Sequence, residues 1–219
     1  MDRITIALDG PSGSGKSTIA KELSKKLNIL YLDTGAMYRA TALKALSLGI
    51  DTLDEKGVNT FISDINLEIK YLNGSQHTFL DGEDVSEKIR LPHVSMAASN
   101  ISSLKPVRLK MVDMQRLIAS KISCVLDGRD IGSYVLPNAD YKFYVTASVK
   151  VRTDRRYKEL TEKGHNVDYN ELMKEIEQRD FNDRNRDFAP LKKADDAIEI
   201  DTSSLSVQEV IDKVLDYIK

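Results

Sequence analysis

The chain has 219 residues, of which 41% are hydrophobic and 30% are charged, and these proportions are ordinary for a globular protein and exclude a disordered or fibrous chain. Its 32 basic and 34 acidic residues leave a formal net charge of −2, which does not favour a nucleic-acid polymer or an anionic membrane as partner. Cys124 is the only cysteine, as is common in a reducing compartment. No apolar run approaches the ~20 residues of a membrane span. We therefore expect a cytoplasmic protein.

Strands and helices alternate at the start of the chain. An apolar strand over 4–8 leads into a glycine-rich loop, and apolar residues at helical spacing follow over 16–27. A second apolar strand over 29–32 precedes another helix, which is expected to end at Gly49. This alternation predicts βαβ crossovers and a parallel sheet.

The pattern changes between residues 61 and 90. Leu67, Ile69 and Tyr71 alternate with charged residues, and the Asn73-Gly74 pair that follows is a strong hairpin signal. Asp81-Gly82 marks a second turn. The block therefore predicts a small antiparallel sheet inserted in a parallel α/β domain.

Further elements follow this insert. Pro92 and Pro106 suit the first turns of two helices, and the segment 150–188 is highly charged with both signs mixed. A capping box beginning at Ser206 predicts a final helix. Apolar runs predict three more strands, over 122–126, 142–145 and 197–200.

A complete P-loop pattern, Gly10-x-x-x-x-Gly15-Lys16-Ser17, lies between the first strand and the first helix. Glycines let backbone N–H groups turn toward an anion, and the helix adds the positive end of its dipole. We expect Lys16 to reach the β- and γ-phosphates and the Ser17 hydroxyl to bind Mg²⁺. The motif predicts a nucleoside triphosphate without choosing between ATP and GTP. The residues predicted to bind it are Gly10, Pro11, Ser12, Gly13, Ser14, Gly15, Lys16, Ser17 and Thr18.

A second candidate site follows the apolar strand over 122–126. Asp127 has the position of a Walker-B acid, so it is a candidate for holding Mg²⁺ through a water molecule. Arg129 and Asp130 are candidates for binding a second substrate at the carboxyl edge of the sheet, where open α/β folds bind ligands. A charged turn with only a structural role is the alternative.

Arginine is the only basic residue between Lys174 and Lys192. On a helix, Arg179, Asp183 and Arg186 would share one face. Arginine suits two-pronged contacts to phosphate, and phosphoryl transfer depends on alignment and charge neutralisation. We therefore predict a small-molecule kinase with Arg186 on a solvent-exposed lid; a salt-bridged surface helix is the alternative. The predicted catalytic residues are Lys16, Asp127, Arg179, Arg184 and Arg186.

Four strings resemble the bacterial cytidylate kinases: Asp9 to Ser17, Asp33 to Arg39, Asp127 to Asp130, and Arg179 to Arg186. The resemblance covers essentially the whole chain, including the insert. It implies an α/β fold of the P-loop nucleoside-monophosphate-kinase type, with a parallel sheet flanked by helices, a small antiparallel insert and an arginine-rich helical lid. The implied parts are a core (1–60, 91–149 and 189–219), an insert on the monophosphate side (61–90) and a lid (150–188).

The resemblance also implies a reaction, in which a monomer transfers the γ-phosphoryl group of ATP, bound with Mg²⁺, to CMP or dCMP. By its motifs Arg129 would hold the acceptor phosphate, Asp130 the sugar hydroxyls, and Arg108 part of the cytosine edge. Periodicity leaves open whether Arg108 reaches a cleft or solvent. The residues that the resemblance assigns to CMP are Thr34, Tyr38, Arg39, Ser99, Arg108, Arg129, Asp130, Arg179, Asp183 and Arg186.

Two alternatives remain. One is a P-loop kinase for another small acceptor, such as a different nucleoside monophosphate or shikimate, although shikimate-type kinases lack a block like that at 61–90. The other is a nucleotide-dependent switch or binding module, which would leave the arginines unexplained. A Ras-type GTPase is disfavoured because the sequence has no guanine-reading Asn-Lys-x-Asp segment.

Overall fold

The computed structural model of the protein describes residues 3–72 and 74–218. The chain divides into two compact units. The first unit joins Met1–Tyr31 to Ser123–Lys219, and the second is Leu32–Ile122. The division into core, insert and lid is a functional one, and it stays a prediction.

Eight strands and eight α-helices make up the described chain. The strands are β1 (Thr5–Asp9), β2 (Leu30–Asp33), β3 (Leu67–Leu72), β4 (Ser75–Leu80), β5 (Glu83–Asp84), β6 (Cys124–Gly128), β7 (Tyr141–Thr146) and β8 (Ile198–Asp201). The helices are α1 (Lys16–Leu27), α2 (Thr34–Ser47), α3 (Glu55–Asn59), α4 (Pro92–Ile101), α5 (Lys105–Ala119), α6 (Val149–Glu162), α7 (Tyr169–Asn185) and α8 (Val207–Leu215), with a 3₁₀ turn at Lys88–Arg90 and a π-helical turn at Ile131–Val135.

The five-stranded sheet is built around β1. Its strand order is β2-β6-β1-β7-β8, and the pairs β1–β6, β1–β7 and β7–β8 are parallel. Both β1 and β6 are buried along their whole length, as central strands of such a sheet are. Because parallel strands end at the same edge, Asp9 lies opposite Gly128 at the point where the chain leaves β1 for the P-loop. The predicted α/β fold with a parallel sheet is confirmed.

The core of the first unit lies between this sheet and its helices. Ile19 and Leu23 of α1 are buried in it, together with Val214 of α8. The capping box that opens α8 is present, with Ser206 Oγ accepting the Glu209 N–H. The 3.6-residue spacing of these apolar side chains explains why both helices pack against the sheet.

Helices α6 and α7 have a small apolar cluster of their own. Leu160 of α6 packs with Leu172 and Ile176 of α7. Outside this cluster the pair is highly charged, as in the 2.7 Å contacts that Glu159 of α6 makes with Arg156 and with Lys163. The charged segment predicted over 150–188 is thus mostly helical.

The second unit combines the three-stranded antiparallel sheet β3-β4-β5 with helices α2 to α5. Leu72 lies opposite Ser75; of the turn between them, Asn73 lies outside the described residues. Asp81 and Gly82 connect β4 to β5 with φ values of 52° and 86°, as a type I′ turn requires. The predicted antiparallel insert is confirmed. Within residues 3–72 and 74–218, no helix is both long and apolar enough to cross a membrane.

Candidate active site

The P-loop makes a sharp turn between β1 and α1. Gly10 has a φ of 145°, and a Cβ there would lie 1.9 Å from the carbonyl oxygen of Val145, so a larger residue cannot replace it. Gly15 caps α1 with a φ of 94°, and among the described residues no side chain accepts a hydrogen bond as the cap of this helix. The amides at the start of α1 are therefore available to an anion such as phosphate.

Lys16 is folded into the P-loop with 5% of its surface exposed. Its Nζ donates to the carbonyl oxygen of Pro11 at 2.6 Å and to Ser14 Oγ at 3.2 Å. Burial, followed by the positive charge of Arg129, lowers the pKa of Lys16, while Asp127 and other nearby carboxylates oppose the shift. Since both hydrogen-bond acceptors are neutral, a phosphate oxygen would offer this ammonium a stronger, charged partner.

Asp127, at the end of β6, connects the sheet to the P-loop helix. Its Oδ2 accepts a hydrogen bond from Ser17 Oγ at 2.7 Å, and its Oδ1 accepts one from the Tyr31 hydroxyl at 3.2 Å. A hydroxyl and a carboxylate side by side are oxygen ligands of the kind that Mg²⁺ takes beside phosphates and water. The two predicted Mg²⁺-binding side chains are thus in direct contact and fit that ion.

Asp9, the last residue of β1, has a role that sequence reasoning missed. Its Oδ1 accepts the Ile131 N–H and its Oδ2 accepts the Gly132 N–H, both at 2.7 Å. Burial raises the pKa of Asp9 to about 7; the two N–H groups oppose the shift, and the charge of Asp130 adds to it. The carboxyl group thus holds the turn after Asp127–Asp130 against the strand that leads into the P-loop.

Three arginines and two aspartates form a cluster after β6, which we call the arginine cluster: Arg129, Asp130, Arg179, Asp183 and Arg186. Arg129 Nε donates to Asp183 Oδ2 at 2.8 Å. Arg186 Nη2 donates to Asp130 Oδ1 at 3.3 Å, and its Nη1 lies 3.9 Å from Asp183 Oδ1. Burial alone would raise the pKa of Asp183, but the charges of the three arginines lower it. The cluster carries more positive than negative groups, so it suits an anion.

The structure corrects the expectation that Arg186 lies on a solvent-exposed lid helix. Helix α7 ends at Asn185, and Arg186 follows it in an extended conformation. Its side chain is only 5% exposed, because buried carboxylates bind it and its Nε donates to the carbonyl oxygen of Ala189 at 2.7 Å. Arg184 is exposed on α7 and is not a member of the arginine cluster. Burial raises the pKa of Tyr144, and the positive charge of Arg184 opposes that shift. A catalytic role for Arg184 stays a prediction.

Arg108 and Tyr38 lie together in the second unit. Arg108 is 1% exposed, its guanidinium carbon lies 5.4 Å from the centre of the Tyr38 ring, and its Nη1 donates to the carbonyl oxygen of Ser102 at 3.2 Å. Ser99 is half-buried on α4. The question that periodicity left open is decided: Arg108 points into the protein and away from solvent.

The start of α2 carries Thr34 and, five residues later, Arg39. Asp33 caps this helix by accepting the Ala36 N–H at 2.9 Å, and its other oxygen accepts Arg39 Nη2 at 2.8 Å. Gln76 on β4 holds the Asp33 backbone from the other side, accepting its N–H at 2.8 Å and donating to its carbonyl oxygen at 3.3 Å. The antiparallel insert therefore supports the segment that contains Thr34, which is buried.

Comparison with known proteins identifies the family. A family model described as cytidylate kinase matches residues 6–219. The chain belongs to the cytidylate kinase family. The cytidylate kinase of Caldicellulosiruptor bescii is 50% identical over 99% of this chain and 96% of its own length. That of Clostridioides difficile is 49% identical over 98% of both chains.

The fold has a relative among solved structures. An uncharacterized protein from Eubacterium ventriosum superimposes with a TM-score of 0.55 and 17% sequence identity, over 99% of this chain and 98% of that chain. At this identity the likeness shows the fold alone.

Membership of the cytidylate kinase family confirms the resemblance that the four strings suggested. It makes the chain a kinase, and it favours neither a kinase for another acceptor nor a nucleotide-dependent switch. Sequence reasoning nevertheless missed two residues that hold the site together, Asp9 and Gln76, and a buried ion pair between Arg152 of α6 and Asp180 of α7. The one available signal was Asp180, which follows Leu172 and Ile176 in steps of four, where an apolar residue is expected.

Proposed function

We propose that this member of the cytidylate kinase family transfers the γ-phosphoryl group of ATP to CMP or dCMP, producing ADP and CDP or dCDP. One observation carries the proposal. The P-loop follows β1, Arg129 and Asp130 of the arginine cluster follow β6, and these two strands are hydrogen-bonded neighbours. Positive groups suited to two sets of phosphates therefore start from adjacent strand ends.

The P-loop unit binds the donor in this proposal. The amides at the start of α1 and the Lys16 ammonium receive the β- and γ-phosphates. Ser17 and Asp127 would hold Mg²⁺, which when bound neutralises charge on those phosphates. The neutral contacts of Lys16 with Pro11 and Ser14 give way to phosphate oxygens without leaving another charge unpaired.

The transfer itself is a displacement at the γ-phosphorus. An oxygen of the acceptor phosphate forms the new P–O bond, while the bond between the γ-phosphorus and the bridging oxygen breaks and ADP keeps the electron pair. The protein aligns the groups and neutralises spreading negative charge. Arg129, Arg179 and Arg186 supply that charge, and an arginine so placed is worth ~10³–10⁵ in rate.

Residues of the second unit bind the acceptor in this proposal. The buried Arg108 donates to the O2 and N3 acceptors of cytosine, and Tyr38 beside it packs with the nucleotide. Arg39 binds the acceptor phosphate, with its guanidinium already oriented by Asp33. Thr34 and Ser99 of this unit belong to the same set, and the family motifs also assign Asp130 and Asp183 of the first unit to the acceptor.

We further propose a monomer that acts in the cytoplasm on small nucleotides, with no nucleic-acid or membrane partner. Light scattering behind size exclusion, at protein concentrations two decades apart, tests the oligomeric state. A mass twice that of the chain at both concentrations would contradict the monomer.

An acceptor panel tests the reaction. ADP release from ATP and Mg²⁺ is measured with CMP, dCMP, UMP, AMP, GMP and shikimate, and Lys16→Ala serves as the control for donor binding. We expect CMP and dCMP to have the highest kcat/KM and Lys16→Ala to lose at least about 10²-fold in kcat. A higher kcat/KM for any other acceptor overturns the substrate assignment.

A further inference from the structure

A buried ion pair connects α6 to α7, the helix that carries Arg179 and Asp183 of the arginine cluster. Arg152 of α6 and Asp180 of α7 form two parallel hydrogen bonds, from Nη1 to Oδ1 at 3.0 Å and from Nη2 to Oδ2 at 2.5 Å. Their side chains are 2% and 6% exposed. The roles given above to the P-loop and the arginine cluster use neither residue.

Arg152 also binds two backbone carbonyl groups. Its Nε donates to Ala147 at 2.9 Å, just before α6, and its Nη1 donates to Ser12 in the P-loop at 3.1 Å. The P-loop packs closely on the same side chain, because a Cβ at Gly13 would lie 3.1 Å from Arg152 Cβ. One guanidinium therefore joins the P-loop, the start of α6 and the middle of α7, which a lysine ammonium cannot do with the same planar geometry.

Stability does not explain this ion pair. Asp180 continues the stripe of α7 on which Leu172 and Ile176 pack against α6, so an apolar residue would suit the position. Replacing a buried ion pair by well-packed apolar residues is often neutral or stabilising. The contributions that an apolar pair could not make are the hydrogen bonds from Arg152 to the carbonyl oxygens of Ala147 and Ser12.

The position of Asp180 on α7 shows what the pair would control. Asp180 follows Arg179 directly and precedes Asp183 by three residues. Burial lowers the pKa of Arg129, but nearby carboxylates, Asp180 among them, raise it by more. Any rotation or translation of α7 at Asp180 would therefore move two members of the arginine cluster.

We propose that Arg152 and Asp180 are positioning residues, which fix α7 against the P-loop so that the arginine cluster meets the phosphoryl group held at Lys16. This inference rests on the proposed function. Neither residue touches the reacting atoms; both act through Arg179 and Asp183. A displacement of reacting groups by about 1 Å can cost ~10²-fold in rate.

The test replaces the pair by apolar residues, as Arg152→Met with Asp180→Leu. The matched control makes the same kinds of change at an exposed ion pair of α6, as Arg156→Met with Glu159→Leu, where the two side chains are 35% and 46% exposed. Thermal unfolding, kcat, and the KM values for ATP and CMP are measured for both variants and the wild type, at a temperature well below each Tm.

We expect the Arg152/Asp180 variant to fold with a Tm close to that of the wild type, because removal of two buried charges offsets the loss of the hydrogen bonds to Ala147 and Ser12. Its kcat should fall by about 10²-fold, while the KM for ATP changes by less than about 3-fold. The control should keep the wild-type kcat. A folded Arg152/Asp180 variant with a wild-type kcat would overturn the proposal.

A second variant covers the case in which the double replacement does not fold. Asp180→Asn keeps the shape of the side chain and one of the two acceptors, so we expect a folded protein whose kcat falls at nearly constant KM. Wild-type kcat in folded Asp180→Asn would equally overturn the inference. Failure of the proposed function is recognised separately, because the wild-type enzyme would then not prefer CMP or dCMP in the acceptor panel.

Discussion

The buried Asp9 carboxyl should make the stability of this kinase depend on pH in the neutral range. In the folded protein, burial raises the pKa of Asp9 from 3.8 to about 7. The folded state therefore holds a proton that the unfolded chain has already released between about pH 4 and pH 7. Because the folded state binds more protons there, the free energy of unfolding falls as the pH rises, and it levels off above the folded pKa.

The size of this effect follows from the shift. One pKa unit corresponds to about 1.4 kcal/mol, so the contribution of Asp9 falls by roughly 2–3 kcal/mol between about pH 5 and pH 8. Asp9→Asn removes the titration. It also places an NH₂ group against one of the two N–H donors from Ile131 and Gly132, at a cost of about 1–3 kcal/mol that does not vary with pH.

Urea unfolding of the wild type and Asp9→Asn at several pH values measures the difference directly. We expect the advantage of the wild type over the variant to be largest near pH 5 and to shrink by roughly 2–3 kcal/mol by about pH 8. Subtracting the variant curve removes the other titrating groups, which both proteins share. A difference that stays constant over this range would refute the assignment of a raised pKa to Asp9.

Three further substitutions have defined outcomes. Arg186→Ala should lower kcat by at least about 10²-fold. It should also lower the free energy of unfolding by about 3 kcal/mol, because it leaves Asp130 and Asp183 buried without this partner. Unchanged urea unfolding would be inconsistent with that burial. Gln115→Leu should raise the free energy of unfolding by about 1–3 kcal/mol, since neither polar atom of this buried side chain has a hydrogen-bond partner among the described residues; a lower Tm would show that the amide is satisfied. Gln76→Ala should raise the KM for CMP more than that for ATP, because it releases the backbone before α2, and equal effects on both KM values would argue against it.

Local patterns predicted a large part of this protein. The P-loop could be recognised because its glycines, lysine and hydroxyl act through one short stretch of backbone between a strand and a helix. The antiparallel insert was equally local: alternation over Leu67–Leu72 and the turn at Asp81-Gly82 depend only on neighbouring residues. The four family strings then identified the family without any knowledge of contacts.

Periodicity failed where a charged side chain faces inward. Periodicity left Arg108 undecided, and the predicted lid placed Arg186 in solvent, yet both side chains are buried. Sequence spacing shows which residues of one helix or strand share a face, but the residues that pack against that face come from other segments of the chain. For Arg186 the deciding partner is Asp130, 56 residues away along the chain.

The sequence by itself determined the class of fold, the triphosphate motif and the family, because each of these depends on residues that are close together along the chain. Only the tertiary structure decided how the site is held. Asp9 reaches amides more than 120 residues further on, and Arg152 joins the P-loop to α7 across 140 and 28 residues. Contacts at such separations form when the parallel sheet and the packing of α7 bring distant segments together, and no local pattern records them.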